Sequence, residues 1–191
     1  MNKVCISIAT TGFVRAETMN WVLMTFVQMA PAVSYLPVIS RQPLAHNRNL
    51  QIRLFLKCDA SHLFILDNDN VPKRDTITKL LAYSKDIISA PSPAWKGNDE
   101  GILALDADGD KYKQHHPMSG LQECDAVGGS GVLVRRKVFE NSDPPWFIDI
   151  YNEKGERILG NDFYFCRKMK ALGYEIWTDF DLLMRHIRWL P

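Results

Sequence analysis

The sequence has almost no surplus of charge: 23 Lys and Arg stand against 22 Asp and Glu, a formal net charge of +1 over 191 residues. That balance excludes a chain drawn to nucleic acid or to an anionic membrane by its overall field, and confines any such contact to a local patch. Cysteine is scarce and scattered. Cys5, Cys58, Cys124 and Cys166 lie far apart with no C-x-x-C pair, so neither a thiolate zinc site nor a disulfide framework is indicated, and they read as reduced, buried thiols. Uninterrupted apolar runs of membrane-spanning length are also missing. The most apolar stretch, 19–39, is broken by Asn20, Gln28, Pro31, Ser34 and Pro37, while Met19, Val22, Leu23, Phe26 and Val27 keep the spacing of an amphipathic soluble helix. No signal-peptide core precedes the first strand-like run, so a cytoplasmic protein is expected. Three glycines in Gly128-Gly129-Ser130-Gly131 let backbone lie against a ligand or form a bulge at a strand start, but they lack both the P-loop lysine and the Rossmann spacing.

What is present is enough chain for one domain, burying roughly 70% of its unfolded surface. Strand-like runs at 4–9, 34–39, 62–66 and 86–90 alternate with helical periodicity at 16–29, 44–57 and after Pro72. That order predicts an α/β fold with a largely parallel sheet and helices on both faces. Pro37 places the second strand at an edge or makes it short. From Lys96 to Glu123 the chain turns polar and loses its period, as a functional flap does, with a hairpin turn at Ala107-Asp108-Gly109-Asp110. A final helix follows Gly160-Asn161-Asp162 and stops at Gly173, and strand-like pieces end the chain.

The chemistry concentrates at His62-Leu63-Phe64-Ile65-Leu66-Asp67-Asn68-Asp69-Asn70-Val71. An apolar run without polar alternation is a strand buried on both faces, and two carboxylates stand where it leaves the sheet, at the edge where open α/β sheets bind ligands. In extended backbone Asp67 and Asp69 point to one side, which suits Mg²⁺ or Mn²⁺ holding a diphosphate. The same D-N-D-N run also reads as a plain turn that caps the next helix. Other candidates carry similar double readings. Thr10-Thr11-Gly12 is either a close approach for a nucleotide or a strand-to-helix turn. His46, Asn47, Arg48 and Asn49 offer donors to phosphate and base, or cap a solvated helix start. His115 and His116 are adjacent and so diverge, which disfavours joint ligation. Trp146 and Phe147 follow two prolines and either stack on a sugar face or plug the core. Asp162, in a first helical turn, is stabilised by the helix dipole and is also placed as a general base. His186, between Arg185 and Arg188, reads on its own as a surface histidine.

Taken in order, Ile8-Ala9-Thr10-Thr11-Gly12, Arg48-Asn49, the Asp67-Asn68-Asp69 segment, Gly129-Ser130-Gly131 through Arg136, Pro145-Trp146-Phe147, Gly160-Asn161-Asp162 and His186-Ile187 make the chain resemble a small glycosyltransferase of the GT-A fold. The similarity is to compact family-2-like proteins of bacteria and phages, over nearly the whole length. It implies one domain, with 1–93 binding the nucleotide sugar and 94–191 the acceptor. Asp67 and Asp69 would be the D-x-D motif, with His186 completing a Mn²⁺ or Mg²⁺ site. Thr10, Thr11, Arg48, Asn49, Asp67 and Asn68 would face the donor, with a UDP-sugar favoured. Gly129, Ser130, Trp146 and Asp162 would face the acceptor, a saccharide or a hydroxymethylated base in phage DNA. Asp162 matches the second acid of the family's G-E-D segment and would be the base, while Asn161 replaces the first acid. Two rivals use the same residues: a haloacid-dehalogenase-like phosphatase with Asp67 as nucleophile and Asp69 as acid and base, and a sugar-nucleotide-binding module without turnover.

Overall fold

A computed structural model describes residues 2–96, 99–109 and 111–187. In chain order the elements are β1 (Val4–Thr10), α1 (Ala16–Met29), β2 (Val33–Ile39), α2 (Leu44–Phe55), β3 (His62–Asp67), β4 (Asn70–Val71), α3 (Thr76–Ala82) and β5 (Ile87–Ser89). They continue with β6 (Pro93–Lys96), β7 (Asp99–Ile102), β8 (Ala104–Asp108), β9 (Lys111–Gln114), β10 (Leu121–Cys124), β11 (Ala126–Val127), β12 (Val132–Arg135) and α4 (Arg136–Glu140). The chain ends with β13 (Ile150–Tyr151), β14 (Arg157–Leu159), α5 (Asn161–Ala171), β15 (Ile176–Asp179) and β16 (Arg185–His186).

The central sheet has seven described strands in the order β10-β15-β5-β12-β3-β1-β2. Five run in one direction, and β12 and β10 run against them. The α/β architecture and mostly parallel sheet expected from the alternation are therefore present. The alternation does not indicate the reversal of β12, which inserts between β3 and β5 after a long excursion, because nothing local marks a strand's direction. Pro37 lies on β2 at the sheet edge, where its missing N–H costs no ladder bond.

The pleat explains the layers. Leu63 and Ile65 of β3 pack with Ile52 and Phe55 of α2, Val138 and Phe139 of α4, and Phe165 and Met169 of α5. Phe64 and Leu66 pack on the other face with Trp21 and Val22 of α1 and Ile77 and Leu80 of α3. The four apolar residues 63–66 are at most 1% exposed, each contributing roughly 2 kcal/mol of burial. That makes β3 a rigid base for whatever projects from its carboxyl end.

The segment expected as a flap is richer in strands than its polarity indicated. β6 pairs with β7, and β8 lies between β11 and β9 in a small separate sheet, with Asp108 opposite Lys111 across the predicted turn. Asp110 and Arg188 lie outside the described residues. The last strand-like stretch, 182–187, keeps only β16, which pairs with β4 instead of joining the main sheet.

Candidate functional site

β3 ends at Asp67, and Asn68-Asp69 form a turn before β4. The pleat therefore does not carry on to Asp69, and the two carboxylates find different partners. Asp67 donates its backbone N–H to Ser130 Oγ at 3.0 Å, and its Oδ1 lies 3.5 Å from Arg48 Nη2. Asp69 Oδ1 accepts from Asn70 Nδ2 at 3.1 Å, and its Oδ2 lies 3.3 Å from His186 Nε2. They remain neighbours electrostatically. Surrounding protein pushes the Asp67 carboxyl pKa up, Arg48 pulls it partly back, and the charges of Asp162 and Asp69 push it further up. Part of that side chain, 30%, still meets solvent.

His186 is delivered from the far end of the chain by the β4–β16 ribbon, opposite Asn70, with Ile187 N–H bonded to Asp69 O at 2.8 Å. Its Nδ1 lies 2.9 Å from Pro93 O. A carbonyl only accepts, so Nδ1 carries the proton in this bond and Nε2 is the nitrogen turned to Asp69. An imidazole nitrogen and a carboxylate oxygen so disposed fit a divalent cation that takes its other ligands from water and diphosphate. Among the described residues no three His, Cys, Asp or Glu side chains form a ready-made cage. Asp67, expected as a third ligand, faces Arg48 instead.

Arg48 is the hub. It is 2% exposed, and its Nη1 donates to Asn161 Oδ1 at 2.7 Å and to Asp162 Oδ1 at 2.9 Å. The guanidinium lies 5.4 Å over the ring of Phe147. Backbone packs flat against it: a Cβ on Gly129 would stand 2.2 Å from Nη1, so only glycine fits there. Gly129 N–H in turn bonds Asp162 Oδ2 at 3.1 Å. Asp162, in the first turn of α5, thus has both oxygens anchored while 24% of its side chain remains exposed. Arg48, Asp67, Asp162, Gly129 and Ser130 are brought together from α2, β3, α5 and the segment before β12.

Asn161 closes the network. Its Nδ2 donates to Asp149 Oδ1 and Oδ2 at 3.1 and 3.2 Å, while its Oδ1 accepts from Arg48. An amide donates to one partner and accepts from the other, which an ionised carboxylate cannot do. That accounts for the departure from an acid at 161. Asp149, which no sequence feature marked, also caps α5 by accepting the N–H of Asn161 at 3.0 Å.

Several expected contacts are spent internally. Asn49, expected to face the donor, is 8% exposed. Its Oδ1 accepts from Trp146 and Phe147 N–H at 2.8 and 3.2 Å, and its Nδ2 donates to Ala45 and Phe147 carbonyls, both at 2.7 Å. Asn49 is a brace under the Pro145-Trp146-Phe147 segment. Trp146, expected at the acceptor, is 3% exposed, with Nε1 on Ser142 Oγ at 3.0 Å and its ring edge-on to Phe139. No face is left for a sugar. Thr10 is also buried, bonding Phe13 O and accepting from Gly12 N–H, and so shapes its own loop. Ser130 is buried against Asp67. Thr11 is exposed.

Gly12, at φ +122°, lets that loop turn back toward Asn68. Asn68 Nδ2 donates to Phe13 O, and Asn68 O accepts from Arg15 N–H, both at 2.8 Å. Phe13, Val14, Arg15, Ala16, Asn68 and Asp69 line a cleft of about 180 Å³. Phe13 is 73% exposed at this cleft, and a lone aromatic in a turn gave no signal in the sequence. Basic residues clustered along the chain have partners within the fold: Arg135 and Lys137 pair with Asp86, Arg136 bonds the carbonyls of Phe55 and Ala60, and Lys168 those of Asp143 and Pro145. His115 is buried on Asp106 at 2.7 Å and stacked on Phe180, apart from His116, which is exposed.

No protein-family model and no curated protein matches the sequence. Solved structures do match in fold. A197 from STIV superposes with a TM-score of 0.71 at 18% identity, over 97% of this chain and 86% of that one. GalNAc-T7, solved with UDP, GalNAc and Mn2+, gives 0.59 at 12%, over 100% of this chain and 44% of that one. S. aureus TarS 1-349, solved with UDP-GlcNAc, gives 0.54 at 12%, over 99% and 59%. The chain thus spans about half the length of the latter two. It has the GT-A fold expected from the resemblance.

Proposed function

We propose that the chain is a metal-assisted glycosyltransferase of the compact, family-2-like kind found in bacteria and phages, moving a sugar from a nucleotide-diphosphate donor to an acceptor hydroxyl. A fold hosts many chemistries, so the reading rests on the site. The observation that carries it is the single buried guanidinium of Arg48 joining Asp67, at the end of β3, to Asp162, at the start of α5, beside the Asp69–His186 pair.

In this reading residues 1–93 form the donor half and 94–191 the acceptor half. Asp69 and His186 hold Mn²⁺ or Mg²⁺, with Asp67 beside them; when bound, the ion offsets charge on the departing diphosphate. Thr11, Asn68 and the exposed Phe13 flank the nucleotide, with a UDP-sugar favoured because UDP or UDP-GlcNAc occupies two of the similar structures. Asp162 orients the acceptor hydroxyl and takes its proton as that oxygen attacks the anomeric carbon and the bond to diphosphate breaks, with inversion. Gly129 lines the acceptor side through backbone. The acceptor is a saccharide, because Arg135, Arg136, Lys137 and Lys168, which would follow a phosphate backbone, are engaged within the fold; the hydroxymethylated base of phage DNA is the other acceptor to be screened. The reaction is assigned to the cytoplasm.

The test is release of free nucleotide from a panel of sugar nucleotides with Mn²⁺, with and without EDTA, on the native chain and on Asp69→Ala. Metal-dependent release from one donor, lost in the variant, is expected. Donor binding without release, even with acceptors present, would make the chain a binding module. Phosphate release from simple esters would favour the phosphatase, whose nucleophile follows a first strand whereas Asp67 follows the third.

A further inference from the structure

Two carboxylates that the proposed reading assigns to opposite partners of the reaction share one buried cation. The sharing is unequal. Asp162 takes the short contact, 2.9 Å, and is held again by Gly129 N–H, whereas Asp67 takes the long one, 3.5 Å, through one oxygen. The guanidinium cannot follow either partner, because Gly129 backbone, the Phe147 ring and Asn161 Oδ1 enclose it. Little solvent is present to screen the contacts, so each is stronger than on an open surface.

We infer that Arg48 is a positioning residue that links the donor side of the site to the acceptor side through the Asp67–Arg48–Asp162 bridge. The inference rests on Asp67 and Asp69 being the cation side. A cation bound there draws Asp67 out of its long contact, and the charge of Arg48 is then left to Asp162, which is held in place and aimed. By linkage the converse holds: neutralising Asp162 leaves the guanidinium to Asp67 alone and opposes the cation. The planar fork suits this, since its two terminal nitrogens meet the two carboxylates from one fixed plane, a geometry that a compact ammonium does not reproduce.

The test uses Mn²⁺ binding to the full chain without donor, followed by calorimetry or by the signal of free Mn²⁺. Asp162→Asn is expected to weaken Mn²⁺ binding about fivefold or more, within the usual size of coupling between sites. In an Arg48→Lys background the same substitution should change it less than about twofold, since the bridge is gone. Arg48→Lys keeps the buried charge, and a second cycle that leaves Arg48 intact, Asp67→Asn against Asp162→Asn, should show the same loss of linkage. An equal effect of Asp162→Asn in every background would mean direct action of its charge through space, and no effect in the native background would mean no linkage; either overturns the inference. A native chain that binds no Mn²⁺ overturns it together with the metal roles, while donor turnover, followed separately, decides the transferase reading.

Discussion

Asn161 holds Asp149 with its amide nitrogen and Arg48 with its amide oxygen, so that one neutral side chain spaces a carboxylate from the hub of the site. Asp149 in turn caps α5 and lies 3.5 Å from Arg157 on β14. The orientation of Asp162, one residue on, depends on this arrangement.

Replacing Asn161 with Asp puts two carboxylates in contact and removes two donated bonds. Arg48 offsets part of the new charge, and a net loss of roughly 1–3 kcal/mol is expected. At this chain length that is about 2–4 °C in Tm per kcal/mol. Thermal unfolding at pH 7 and at pH 4 checks it: the deficit should shrink at the lower pH, where the added carboxyl is partly neutral.

Gly129→Ala drives a methyl into Arg48. A Cβ at 2.2 Å from buried Nη1 cannot be relieved without breaking the contacts to Asp162 or Asn161. A cost of about 1–3 kcal/mol is expected, with turnover falling more than stability because the base loses its aim. Urea unfolding beside nucleotide release separates the two effects; unchanged turnover would remove Gly129 from the site.

The raised carboxyl pKa of Asp67 predicts that its charge costs the fold stability at neutral pH. Its pKa is raised above the ordinary carboxylate value of 3.8, so the folded state binds its proton more tightly than the unfolded state does. Stability from this group is present below the ordinary value and is lost as pH rises through the raised one. Asp67→Asn should therefore be at least as stable as the native chain at pH 7, with its advantage fading as pH falls through the raised value and gone below about 4, while donor turnover is lost. Thermal melts across pH 3–8 test this, and a variant markedly less stable at pH 7 would refute it.

Trp146 is expected to matter to folding and not to sugar recognition. Trp146→Ala should cost about 3–5 kcal/mol. Trp146→Phe keeps most of the packing and forfeits the bond to Ser142, and should retain the native KM for acceptor. A raised KM with native stability in the Phe variant would return Trp146 to the acceptor site.

The sequence by itself determined whatever depends on neighbours along the chain. The alternation of buried runs with 3.6-residue periodicity predicted the α/β layers, and the run 62–66 predicted a strand buried on both faces with carboxylates at its exit. Asp162 was legible as a first-turn acid because Gly160 and the periodicity after it mark a helix start. Tertiary structure alone decided which of these groups remain available. Asn49 and Trp146 have the chemistry of binding residues, yet partners 97 and 98 residues distant bind Asn49, and the aromatic core encloses Trp146. Arg48 meets Asp67 and Asp162 across 19 and 114 residues, and His186 is oriented by Pro93 at a separation of 93. Hydrogen bonds of this kind depend on strand order and direction, above all on the reversed β12 that carries Gly129 and Ser130 to the end of β3. Local propensity encodes an element's period but not its neighbour in the sheet, and so it named the residues of the site without showing which of them meet.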